Sequence, residues 1–92
     1  MNEDFLQYVW RYKMFSKVDF KTIDNAHLSI IKSGLHNKNA GPDFLNAQLK
    51  IDGQTWIGNV EMHLKASDWY LHNHEKDLNY DAVILHVVWE ND

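Results

Sequence analysis

Apolar and polar residues alternate through residues 39–65, NAGPDFLNAQLKIDGQTWIGNVEMHLK, and the alternation reverses at Asp52-Gly53. Asp-Gly supplies the positive φ angles of a type I′ turn, so this stretch predicts a β-hairpin with a two-residue loop. Ile51 then pairs with Gln54. Leu45, Ala47, Leu49 and Ile51 share one apolar face with Trp56, Gly58, Val60, Met62 and Leu64. A three-residue loop would set apolar positions opposite polar ones and is rejected. The other face of the second strand carries Thr55, Ile57, Asn59, Glu61, His63 and Lys65. Glu61 and His63 fall about 7 Å apart along it. Gly58 in mid-strand marks a bulge or a close approach of another backbone.

The flanking segments read more simply. Residues 2–15 have a helical stripe of Phe5, Leu6, Val9 and Tyr12 or Lys13, widened by Tyr8 and Trp10. Asn2 is the expected cap, with Glu3 and Asp4 at the positive end and Arg11 and Lys13 at the other. Residues 16–26 are polar and mixed. Residues 27–32, HLSIIK, read as a short strand ended by Ser33-Gly34, and residues 35–41 as an Asn- and Gly-rich loop. In residues 66–80, ASDWYLHNHEKDLNY, Ser67 or Asp68 caps a short helix. Residues 82–90, AVILHVVWE, form a nearly continuous β-branched run, which predicts a central strand buried on both faces. His86 interrupts it, and a buried imidazole needs partners for both nitrogens.

Ninety-two residues make one small domain with a modest core. With 45% apolar residues it is globular, and the absence of Cys excludes disulfides and thiolate-bound zinc. No apolar run reaches the ~18–20 residues of a membrane span, and the acidic start lacks the order of a signal peptide. A soluble, cytoplasmic protein without a membrane partner is expected. A net charge of −4 argues against a purely electrostatic nucleic-acid binder. It is compatible with a metal-dependent nuclease, whose carboxylates count as negative until the cation arrives. The chain stops just after the strand read as most central, so a fragment of a longer protein, or a domain that pairs with another copy, is expected.

The polar face of the hairpin carries the candidate chemistry. Pro42-Asp43 on one strand and Glu61-Met62-His63 on the next resemble the PD-(D/E)XK nucleases, with His63 where that pattern has Lys. The resemblance implies that Asp43 and Glu61 bind Mg²⁺ or Mn²⁺ through oxygen. His63, with Lys65 behind it, would position or deprotonate the attacking water. Strict alternation puts Asp43 on the apolar face with Leu45, so a bulge or kink near Pro42 is required. Glu3 is the helix's candidate for an accessory carboxylate. His72, His74 and His86 would be outer contacts, and nucleic acid the substrate. A second reading uses His63, Asp68, His72 and His74 as zinc ligands, although their spacing matches no strong motif. A third is a non-catalytic interaction domain.

The segments AGPDF, GNVEMH, SDW, HNH and LHVVW together resemble one bacterial family catalogued only as a domain of unknown function. The resemblance spans the N-terminal helix to Asp92, and members of that family are longer than this chain. The expected fold is α+β or α/β. An N-terminal helix packs on a mixed sheet of about four strands, in an αβββαβ-like order.

Overall fold

The computed structural model describes residues 2–13, 26–90 and 92, without the side chain of Glu75. The segment read as polar and mixed falls, for residues 16–25, outside the described residues. Helix α1 spans Glu3–Arg11, and the Asn2 side chain caps it by accepting from the Phe5 N–H at 2.8 Å. Five strands follow: β1 (Leu28–Lys32), β2 (Leu35–His36), β3 (Phe44–Ile51), β4 (Gln54–Lys65) and β5 (Val83–Glu90). They form one sheet in the order β1-β3-β4-β5, and β2 shares with β1 the outer side of β3. Pairing is antiparallel except between β4 and β5, which run parallel. A parallel neighbour needs a crossover of a dozen or more residues. Here it contains helix α2 (Asp68–Leu71) and two 3₁₀ turns, His74–Lys76 and Leu78–Tyr80. The fold is α+β in the predicted order, except that Leu35–His36, read as the start of a loop, pair with β3 as a short fifth strand. No described helix is long and apolar enough to cross a membrane.

The hairpin forms as its turn dictates. Asp52 (φ 48°) and Gly53 (φ 84°) make the loop, and Ile51 pairs with Gln54. The register then shifts between Phe44 and Ala47, where Leu45 and Asn46 bulge out of β3. Asn46 takes φ 55°, and its N–H bonds the Asn59 side chain at 3.0 Å. The extra residue reverses the parity beyond it. Phe44, not Leu45, joins Ala47 and Leu49 in the core, and Leu45 pairs with Leu35 of β2.

Helix α1 covers this apolar face. Leu6 and Trp10 pack with Phe44, Ala47, Leu49, Val60, Met62 and Val87. Phe5, Tyr8 and Tyr12, expected in the inward stripe, are exposed instead. Trp10 satisfies its indole by donating to Ser33 O at 2.9 Å, which ties the helix to the β1–β2 corner. Strand β5 departs from expectation too. It lies at the edge of the sheet formed by the described residues, and only Val87 in it is fully buried. Its apolar run reflects partial cover on two sides rather than a central place. Gly58 meets β5 closely: a Cβ there would stand 2.5 Å from Ile84 Cγ2 and 2.9 Å from Ala82 O.

A candidate metal centre on the second face of the sheet

Glu61 and His63 alternate with Val60 and Met62 along β4, so they project away from α1. The crossover covers them. Both are buried, Glu61 at 4% exposure and His63 at 2%, where a solvated sheet face would leave them wet. His86 is the register partner of Glu61 on β5 and stands on the same face. Its Nε2 lies 2.8 Å from His63 Nδ1.

The chain between β4 and β5 supplies two more imidazoles. His72 closes α2, Asn73 turns through the left-handed region (φ 57°), and His74 opens the next 3₁₀ turn. That reversal lets both histidines, two positions apart, reach His63. His63 Nε2 lies 3.1 Å from His72 Nδ1 and 3.4 Å from Glu61 Oε2, while His74 Nε2 lies 2.7 Å from the same Glu61 oxygen. One ligand atom from each of His63, His72 and His74 lies within 4.8 Å of the others. His63 and His74 are buried and His72 is exposed, so the group opens to solvent on the His72 side.

Aromatic rings wall the group in. Tyr80 stacks on His74 with ring centroids 3.8 Å apart, and Trp69 packs edge-on against His74 and tilted against His86. A cavity of about 380 Å³ is lined by Trp69 and His86 together with Ala66, Tyr70, Val83, Ile84 and Leu85.

Asp43 arrives from the end of β3. Pairing with β4 stops at Phe44–Val60 while β4 runs on to Lys65. Asp43 Oδ2 takes the place of a strand carbonyl there, accepting the Met62 N–H at 2.8 Å. Asp43 Oδ1 accepts from Gln7 Nε2 at 3.0 Å, and Gln7 Oε1 faces His36 Nε2 at 3.2 Å. The Asp43 and Glu61 carboxyl groups come within hydrogen-bonding reach of each other. The bulge that the sequence argument required therefore exists, at Leu45–Asn46 rather than beside Pro42.

Electrostatics follow from the crowding. Burial first, and then Asp43, raise Glu61 to about 9. Burial first, and then His86, His74 and His72, lower His63 to about 4, so its imidazole is neutral at pH 7 and open to a metal. His86 is lowered for the same leading reason. Glu3, at the start of α1, is raised by burial and then by Asp43 and Asp68, so it shares this field. Tyr80 is pushed up to about 12 by burial and then by Glu61, and it stays a phenol.

The structure thus brings together Asp43, Glu61, His63, His72, His74 and His86. Asp68 stands beside them at the start of α2, its carboxylate 3.4 Å from the Lys65 N–H, but outside the three-histidine donor group. Lys65 is exposed at the end of β4, where its charge acts on Asp92. Gln7 and Tyr80 were not foreseen. Gln7 left a trace in the sequence, since it is a polar residue set between buried Leu6 and Trp10 on the inward side of the helix. Tyr80 left none.

The family described as "Protein of unknown function (DUF2851)" matches residues 3–92. The chain belongs to that family. No curated protein and no solved structure matches it, so a likeness to PD-(D/E)XK nucleases rests on the residue pattern and element order alone.

Proposed function

We propose that this DUF2851 domain is a divalent-metal-dependent hydrolase of phosphodiesters. The observation that carries the reading is the convergence of Glu61 Oε2 with His63 Nε2, His72 Nδ1 and His74 Nε2. Three imidazoles and one carboxylate are a borderline-metal donor set, suited to Zn²⁺ or Mn²⁺ better than to Mg²⁺. The contacts His63–His72 at 3.1 Å and His63–Glu61 at 3.4 Å are near the spacing of neighbouring ligands on one small cation, and two of the donors come from a single strand. A bound metal of this kind acidifies a coordinated water and stabilises charge on a phosphoryl oxygen.

The protein's own groups do the rest. His86 Nε2 stands 2.8 Å from His63 Nδ1, and with Nδ1–H donating to it the His63 Nε2 is left free to bind. Tyr80 and Trp69 hold the His74 ring and keep water from the buried side. His72 borders solvent and leaves room for substrate. Asp43 is held beside Glu61 by the bonds it accepts from Gln7 and the Met62 N–H, which adds a second fixed carboxyl to the site. The phosphodiester class is supported by the order of groups: an acid at the head of one strand and Glu-x-His on the next, in a helix, hairpin, crossover, strand arrangement.

The test is metal content and cleavage together. Chelator-treated chain, reloaded with Zn²⁺ or Mn²⁺, is expected to bind metal stoichiometrically and to hydrolyse bis(p-nitrophenyl) phosphate and single- or double-stranded nucleic acid. His63→Ala and Glu61→Ala are expected to lose both properties. A chain that takes up no metal refutes the reading. So does a metal-loaded chain that cleaves none of these phosphodiesters.

A further inference from the structure

We propose that Glu61 bridges two cation positions: the nitrogen-rich one at Oε2, and an oxygen-rich one between Oε1 and the Asp43 carboxylate. This deepens the reading above and rests on it for the first position. The second stands on separate observations. Glu61 Oε1 is wholly buried and has no hydrogen-bond donor among the described residues. A buried carboxylate oxygen without a donor is a costly arrangement that native structures avoid unless something occupies it. The Asp43 carboxyl lies close enough to interact with that of Glu61, and two carboxylates side by side need a cation or a proton between them.

Asp43 is built to serve. One donor reaches each of its oxygens, from Gln7 and from Met62, so each keeps a lone pair. Those two bonds hold the carboxylate rigid, as ligand support does in metal sites. Glu3, at the start of α1, also feels the Asp43 charge. The two positions differ in character. Carboxylate oxygens alone suit a hard ion, Mg²⁺ or Mn²⁺, whereas the imidazoles suit Zn²⁺ or Mn²⁺. Glu61 and Asp43, with the imidazoles, would hold two cations, and such a pair would supply charge stabilisation for an in-line phosphoryl displacement. The substrate class that follows is a phosphate ester rather than a peptide or simple ester.

Mn²⁺ serves as the probe because it fits both positions. Titration of the purified chain, followed by calorimetry and electron paramagnetic resonance, is expected to show two equivalents and an exchange-coupled pair. Asp43→Asn is expected to hold one uncoupled equivalent, because the amide still accepts from Met62 but no longer offers a second anionic ligand. His72→Ala is expected to weaken the other equivalent. One uncoupled Mn²⁺ in the unaltered chain at saturation overturns the bridge and leaves the hydrolase reading standing. Two equivalents retained in Asp43→Asn overturn the assignment of Asp43. No bound Mn²⁺ or Zn²⁺ at all overturns both proposals. The measurement on the unaltered chain decides the matter even if a variant fails to fold.

Discussion

Replacing Glu61 by Gln should make the metal-free domain more stable at alkaline pH while abolishing the proposed metal binding. The side chain is buried beside Asp43, and its carboxyl is raised from 4.5 to about 9. The folded chain therefore keeps a proton on Glu61 that the unfolded chain releases above pH 4.5. Stability from this group is complete below the unfolded value and is lost as pH climbs toward 9. The slope is at most about 1.4 kcal/mol per pH unit. Between pH 5 and pH 8 the loss is therefore bounded at ~4 kcal/mol, and coupling to Asp43 and local relaxation bring the expected figure to about 2 kcal/mol. A Gln at this position carries permanent N–H donors and can offer one to Asp43 at every pH, so the variant escapes that slope.

The assay is thermal unfolding of chelator-treated protein at pH 5, 6, 7 and 8. For a domain of this size about 1 kcal/mol corresponds to ~4–8 °C in Tm. The two proteins should melt close together at pH 5, and Glu61→Gln should melt several degrees higher at pH 8. Added Zn²⁺ or Mn²⁺ should raise the unaltered protein and leave the variant where it was, since only a ligand of the folded state stabilises it. A gap that stays constant with pH, or a variant less stable at pH 8, would refute the claim that the carboxyl is held protonated by its surroundings. Stability gained as function is lost is the mark of a residue kept for chemistry.

Other outcomes follow from the same geometry. His63 is lowered to about 4, so the unaltered apo domain should lose stability as pH falls from about 6.5 toward 4, and His63→Ala should flatten that limb in denaturant titrations. Gly58→Ala should lower stability by about 1–3 kcal/mol, because its methyl meets Ile84 and the Ala82 carbonyl where β5 joins β4. Asn46→Gly should be nearly neutral in chemical denaturation and Asn46→Val clearly destabilising, since the bulge holds this residue at φ 55°. Gln7→Ala should cost ~1 kcal/mol in apo stability and weaken Mn²⁺ binding through Asp43, whereas exposed Lys38→Ala should change neither.

What could be read from the chain was local. The Asp52-Gly53 turn, the Asn2 cap and the tight approach at Gly58 each depend on the residue and its immediate neighbours, and each formed as expected. Periodicity found the face that carries Glu61 and His63 but not its burial, because the cover comes from a crossover whose own sequence shows no amphipathic stripe. The bulge at Asn46 reverses the parity of Asp43 and depends on the Asn59 side chain in the partner strand. Asn is among the residues that tolerate this conformation, yet nothing nearby marks it as the one that takes it. The edge position of β5 is hidden from its sequence for a related reason. A run of apolar residues records how much surface is covered, not whether a strand or a helix covers it. The convergence of His72 and His74 turns on one left-handed residue, Asn73, which suits the role but does not announce it.

In the proposed centre one cation sits among Glu61, His63, His72 and His74. X-ray absorption at the zinc edge, on chain loaded with one equivalent of Zn²⁺, tests it most directly. The predicted spectrum shows only nitrogen and oxygen neighbours at about 2.0–2.2 Å, with outer-shell scattering from three imidazole rings that falls to two in His72→Ala. A spectrum without imidazole scattering, or one unchanged in His72→Ala and His74→Ala alike, would contradict the claim.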